Sequence, residues 1–221
     1  MKTKGEKIMP LKNIYEGKFI VFEGIDGSGK TTISKMAAEF LRAEKFSVCE
    51  TFEPTKESPE SRRIRRILDG EEKAGGNLLQ ELFIADRAYH IVKTVIPALG
   101  QGKIVVCDRY FFSTLAYGMA QGIEKEWLQE LHREILGENW ILPDATIIIN
   151  SSPIVAAQRM AESRNQKSIF EEKVEFAENV RKNYLALAED FANVYAVNGD
   201  LSPAEVFGVV KRIILPLIQA Q

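Results

Sequence analysis

A three-layer α/β sandwich, built on a five-stranded parallel sheet with helices on both faces, is predicted by three observations. Short β-branched runs alternate with longer helical patterns, several of those runs are apolar on both faces, and no repeat or low-complexity tract breaks the alternation. With 221 residues, 45% of them apolar, the chain can bury one substantial core, and domain-size statistics favour a single unit.

The first 17 residues are polar and Lys-rich and read as an N-terminal extension; 18–221 read as one domain. Strands are expected at Lys18 to Glu23, Ser47 to Phe52, Lys103 to Asp108, Ala145 to Asn150 and Val194 to Val197. KIVVCD and ATIIIN carry apolar side chains on both faces, as parallel strands covered on each side require. The clearest helix follows the first strand, because Ile33, Met36, Ala37, Phe40 and Leu41 keep the i, i+3, i+4, i+7, i+8 spacing of a buried stripe. A longer helix is expected from Asn77 to Leu99, with Leu78, Leu82, Ala85, Tyr89, Val92 and Ile96 as its stripe. Between two later helical patterns, the polar stretch Glu162 to Ser168 reads as a short lid at about 162–169.

Charge and cysteine usage narrow the partners. The formal charge is -2 with both signs mixed along the chain, so no broad basic field favours nucleic acid or an anionic membrane. Cys49 and Cys107 each sit in an apolar run, which favours buried free thiols in a reducing compartment. No stretch of 18 consecutive apolar residues and no N-terminal apolar h-region occurs, and a cytoplasmic protein is expected.

KFIVFEGIDGSGKTT contains the spacing G-x-x-x-x-G-K-[ST] at Gly24, Gly29, Lys30 and Thr31, between a buried strand and an amphipathic helix. Glycines let the backbone wrap phosphates, and successive N–H groups at a helix N-terminus favour negative charge. Lys30 can reach β/γ oxygens and Thr31 can hold Mg²⁺, so Gly24, Ile25, Asp26, Gly27, Ser28, Gly29, Lys30, Thr31 and Thr32 are read as an ATP-binding loop. A phosphate loop alone also fits a switch GTPase or a motor, but N-K-x-D and a D-x-x-G after the third strand are both missing. Asp108 and Arg109 instead end that strand as CDRY, at the carboxyl edge where ligands of doubly wound folds collect. There Arg109 can bridge donor and acceptor phosphates, and Asp108 can orient Mg²⁺ through water or hold Arg109.

FEGIDGSGKTT, TFEPT, LFIADRAYH, CDRYFFSTLAYG and QRMAESRNQKSIFE together resemble thymidylate kinase, in order from about Lys18 to the C-terminus. The resemblance implies a P-loop kinase fold and a homodimer that uses MgATP to convert dTMP to dTDP. It also implies that Phe83 stacks on thymine, Arg87 donates to a base carbonyl, Ser113 and Thr114 help hold the base, and Tyr117 crowds the sugar. Glu53 and Pro54 occupy the family's loop over the acceptor, but Phe52 stands where T-R-E-P has Arg. The run Arg62, Arg63, Arg65 and Arg66 offers substitutes. Some relatives carry an Arg inside the phosphate loop; here that position is Gly27, which moves the expected catalytic cation to Arg164 or Lys167 on the lid. Arg159 is expected on adenine, Asp26 at the sugar 3'-hydroxyl or the metal shell, and Tyr184 near the sugar. The remaining alternatives are a kinase for dUMP, UMP or CMP, or a P-loop regulatory NTPase.

Overall fold

The computed structural model describes residues 9–164 and 171–219. In chain order the backbone forms β1 (Leu11–Lys12), β2 (Phe19–Glu23), α1 (Lys30–Ala43), β3 (Val48–Phe52), α2 (Pro59–Leu68), α3 (Gly76–His90), α4 (Ile96–Gly100) and β4 (Ile104–Asp108). Then follow α5 (Phe111–Ala120), α6 (Lys125–Leu136), β5 (Ile141–Leu142), β6 (Ala145–Asn150), α7 (Pro153–Arg164), α8 (Glu171–Glu189), β7 (Val194–Asn198) and α9 (Pro203–Gln219). The main sheet has the order β3-β4-β2-β6-β7, with every neighbouring pair parallel. All five strands lie where the β-branched runs predict them.

Side-chain alternation divides the core into two layers. Phe19 and Val21 of β2, Val105 and Cys107 of β4 and Ile148 of β6 pack with α3, α5, α6 and α8. Ile20, Phe22, Ile104, Val106, Ile147 and Ile149 point the other way, against Ile33, Ala37 and Leu41 of α1 and Val206, Val210 and Ile214 of α9. The central strands are therefore buried on both faces, which is why they read as unbroken apolar runs, whereas the edge strands β3 and β7 are largely half-buried or exposed. Because the chain leaves β2 toward β3 and β4 and then crosses to β6 and β7, the carboxyl ends of β2 and β4 sit side by side at the switch in winding.

A second, two-stranded sheet pairs β1 with β5 in parallel. Asn13 Nδ2 donates to Asp144 at 2.7 Å, and the same carboxylate accepts the backbone N–H of Phe19. Residues 9–17 of the extension thus run along the domain. Among the described residues no helix is long and apolar enough to cross a membrane.

The helix expected over 77–99 runs as α3, a π-helical turn at Ile91–Val95 and α4, but its buried face differs from the expected stripe. Gln80, Ile84, Asp86, Arg87, His90, Ile91 and Val95 are buried. Leu78, Leu82, Ala85 and Tyr89 are only half-buried, Val92 is 51% exposed, and Ile96 alone of the six packs on the core. The cause is a set of polar partners inside the fold: Gln80, Asp86, Arg87 and His90 turn inward to hydrogen bonds, which rotates the apolar stripe outward. Sequence periodicity assumes that charge faces water, and here paired charge does not.

Candidate active site

Between β2 and α1 the chain turns through Gly24, Gly27 and Gly29 with φ of 142°, 80° and 93°, a region that side chains rarely adopt. Gly27 is also packed tightly, since a Cβ there would lie 2.2 Å from the Ala156 carbonyl oxygen of α7. No side chain fits at that position without displacing α7. Lys30 Nζ lies 3.3 Å from the Ile25 carbonyl and 3.5 Å from Asp26 Oδ1. Burial, and then the charge of Arg109, lower its pKa to about 8. Thr31 Oγ1 donates to Asp108 Oδ2, while Asp108 Oδ1 is buried with no hydrogen-bond partner. Among the described residues no cluster of three or more His, Cys, Asp or Glu could cage a metal. A hydroxyl beside one carboxylate fits instead an ion that keeps waters and phosphate oxygens as ligands.

Arg109 follows β4 with φ of 75°, a strained conformation for a residue with a side chain. Its N–H donates to the Phe22 carbonyl at 2.8 Å, and the Cys107 thiol donates to its carbonyl at 3.0 Å. The guanidinium meets Asp26 Oδ1 at 2.5 Å, Ser113 Oγ at 2.9 Å and the hydroxyls of Tyr117 and Tyr184 at 3.4 Å. Arg109 holds the Asp26 carboxyl at about 2 even though that side chain is 67% exposed. Behind the cation, fully buried Glu23 accepts from the backbone of Tyr110 and from the hydroxyls of Ser113 and Tyr184. Burial raises the Glu23 pKa, opposed by Arg109 and these hydrogen bonds. Of the two roles open to Asp108, holding Arg109 is not formed: Asp108 bonds Thr31 and Arg109 bonds Asp26.

Beneath the loop after β3, Arg87 is 1% exposed. Its Nε and Nη2 meet Glu53 Oε2 at 2.8 and 2.7 Å, and Nη1 donates to Thr114 Oγ1 at 3.0 Å. His90 bridges Glu53 Oε1 and Thr51 Oγ1, and Asp86 accepts from Thr55 and Ser58. These bonds pin the loop after β3, with its cis Glu53–Pro54 bond, onto α3. Phe83 is half-buried and belongs to neither apolar cluster. A cleft of about 560 Å³ separates Lys30 and Thr31 from Thr51 to Glu53, with Asp108 and Arg109 between them.

The structure thus brings Asp26, Lys30, Thr31, Glu53, Asp108 and Arg109 to one cleft, with Ser113, Thr114, Tyr117 and Arg87 behind it. Tyr184 is buried with its hydroxyl on Glu23 and so braces Arg109 from below rather than opening onto the cleft. Arg159 donates to the carbonyls of Gly199 and Ser28 and lines a separate groove with Gly29, Thr32 and Leu201. None of the four arginines of α2 lines the cleft: Arg63 and Arg66 pair with Glu72, and Arg62 and Arg65 face another groove with Lys56. Lys56 Nζ lies 5.4 Å from the Phe52 ring centroid, making it a nearby cation at the position where T-R-E-P has Arg. Arg164 ends α7, while Lys167 and lid residues 165–169 lie outside the described residues. Glu23, Asp86, His90 and His132 escape a motif-based reading. The available signal was charge inside apolar runs: Glu closing FIVFE, and Asp and His flanking Arg87 in IADRAYHIV.

The family model for thymidylate kinase matches residues 22–208. A Pyrococcus horikoshii protein named probable thymidylate kinase is 39% identical over 210 residues, covering 91% of this chain and 99% of that relative. Thymidylate kinases of Desulfotalea psychrophila and Chlamydia caviae are 38% and 36% identical, covering 78% and 85% of this chain and 82% and 91% of their own lengths.

The chain belongs to the thymidylate kinase family. Gly27 has a packing reason to be glycine, since a Cβ there would meet the Ala156 carbonyl. Gly27→Ala is expected to lower stability by about 1–3 kcal/mol, read as a fall in urea midpoint, because the methyl meets Ala156 and the backbone is left-handed. A wild-type midpoint would contradict that contact.

Proposed function

We propose that the chain transfers the γ-phosphoryl group of ATP to dTMP, giving dTDP and ADP. The observation that carries this reading is the single cleft shared by the phosphate loop and the loop after β3, with Arg109 between them, in a chain of the thymidylate kinase family. In this reading Gly24 to Thr32 wrap the ATP phosphates and Lys30 supports charge on the β/γ oxygens. Thr31 and Asp108 would hold Mg²⁺, and the orphaned Asp108 Oδ1 suits a metal-bound water. When bound, the ion supplies charge neutralisation on the phosphates.

An ionised phosphate oxygen of dTMP attacks the γ-phosphorus and the β–γ bridging bond breaks toward ADP. No general base is required, because that oxygen carries no proton to remove. Arg109, held rigid by Asp26 and Ser113, bridges donor and acceptor phosphates. Phe83 takes the thymine face, and Arg87 and Thr114 take its polar edge. Asp26, Glu53, Pro54 and Tyr117 shape the sugar and phosphate end, while Ser113 and Tyr184, both bonded to Glu23, hold Arg109 from behind rather than meeting base or sugar. Arg159, fastened to the Gly199 carbonyl, lies along the adenine groove. Since Gly27 has no side chain, the cation that closes over the transferring group is assigned to Arg164 or Lys167. We place the enzyme in the cytoplasm, as a homodimer through the outward stripe Leu78, Leu82, Tyr89 and Val92.

With MgATP, ADP release is expected with dTMP and much less with dUMP, UMP, CMP or AMP; turnover of UMP with none of dTMP would sink the assignment. Lys30 must be charged to bind triphosphate, and its free-enzyme pKa of about 8 puts the loss of charge within reach. Accordingly kcat/KM for ATP should fall roughly tenfold per pH unit well above pH 8 while kcat holds, since bound phosphates keep the ammonium protonated. A flat kcat/KM to pH 10 would refute that role. In sedimentation the wild-type protein should run as a dimer and Val92→Asp as a monomer; a wild-type monomer at micromolar concentration would remove the dimer.

A further inference from the structure

His132 lies on α6, fully buried, and no step of phosphoryl transfer uses it. Its two ring nitrogens have one-sided partners. Nδ1 is 2.7 Å from the Leu128 carbonyl, which only accepts, and Nε2 is 2.8 Å from Arg87 Nη1, which only donates. These partners admit one state, the neutral ring with its proton on Nδ1. A protonated ring would set N–H against N–H and cation against cation. The rotamer is locked as well: the ring stacks on Trp140 with centroids 5.2 Å apart and planes at 24°, and Phe111 closes its edge at 6.1 Å.

Arg87 reads its surroundings through three elements. Glu53, just after β3, accepts from Nε and faces one side of Nη2 as its ion-pair partner at 2.7 Å, Thr114 of α5 and His132 of α6 take the two N–H groups of Nη1, and the Tyr110 ring lies 5.3 Å from Cζ. Of the five N–H groups, one on Nη2 is left for a ligand. We propose that His132 is a positioning residue that fixes the Arg87 guanidinium so that this last N–H points at the acceptor base. The inference rests on the reading of Arg87 as a base-binding residue. Glu53 grips one edge of the guanidinium and Thr114 one N–H of Nη1; an acceptor on the second N–H of that nitrogen restrains the rotation that these two leave open. Burial, and then the neighbouring Arg87, push the His132 pKa well below the ordinary value, which keeps the ring an acceptor at neutral pH.

The test measures KM for dTMP, KM for ATP and kcat in the full-length enzyme. His132→Leu, which removes the acceptor, should raise KM for dTMP about tenfold, the scale of one lost hydrogen bond to a charged group, with kcat and KM for ATP within about twofold. His132→Gln, whose side-chain oxygen reaches the position of Nε2 and can accept from Arg87, should recover most of the loss. An unchanged KM for dTMP in His132→Leu overturns the proposal, as does a parallel loss in all three constants that Gln does not rescue. ¹⁵N-histidine spectra of the wild-type enzyme test it without any variant: the Nδ1–H tautomer is expected at pH 7 with and without dTMP, and an Nε2–H or charged ring refutes it. Arg87→Leu separates the two levels. If it leaves KM for dTMP unchanged, the base-binding reading fails; if it raises KM while His132→Leu does not, only the positioning role fails.

Discussion

The 2.5 Å contact between Arg109 and Asp26 joins the loop after β4 to the phosphate loop, and most of the cleft is arranged around it. A guanidinium at that depth needs fixed partners, because an unpaired buried charge costs several kcal/mol. The partners are supplied in layers. Asp26 takes the outer edge, Ser113, Tyr117 and Tyr184 the flanks, and Glu23 anchors Ser113 and Tyr184 from beneath. The left-handed backbone of Arg109, tied by the Phe22 carbonyl and the Cys107 thiol, turns its side chain toward the loop rather than along the helix that follows.

A second polar core, around Glu53, Arg87, His90 and His132, has a structural consequence beyond the pocket. By drawing four polar side chains of α3 inward it ties the loop after β3 to the helix and leaves the helix's apolar stripe facing out. One rotation thus yields both a hydrogen-bonded inner wall and an apolar outer surface. Replacing buried ion pairs by apolar groups is often neutral or stabilising, whereas a fully hydrogen-bonded polar cluster allows few alternative geometries. That suits a wall whose task is to hold one arginine still.

The layered sheet and the phosphate loop were legible because their signals are local. β-branched runs, a glycine spacing and an amphipathic helix each sit within a dozen residues, and the strands at 19–23, 104–108 and 145–150 fall where those signals lie. The face of α3 was misread for an equally physical reason. Leu78, Leu82, Ala85, Tyr89 and Val92 form the better apolar stripe, but the inward side is decided by partners 27 to 45 residues away, Glu53, Thr114 and His132, which no periodicity records. The α2 arginines show the same limit: their number suggested a phosphate site, and only the packing of α2 shows that they face away from the cleft.

The sequence by itself determined the α/β alternation, the triphosphate loop and the resemblance to thymidylate kinases, since each depends on residue types at fixed short spacings. Tertiary structure alone decided that Arg109 pairs with Asp26 rather than Asp108, that Gly27 is glycine because Ala156 lies against it, and that His132 serves Arg87. These are contacts between residues brought together by the crossing of strands over the sheet, and a linear pattern carries no record of which side chains such a crossing makes neighbours.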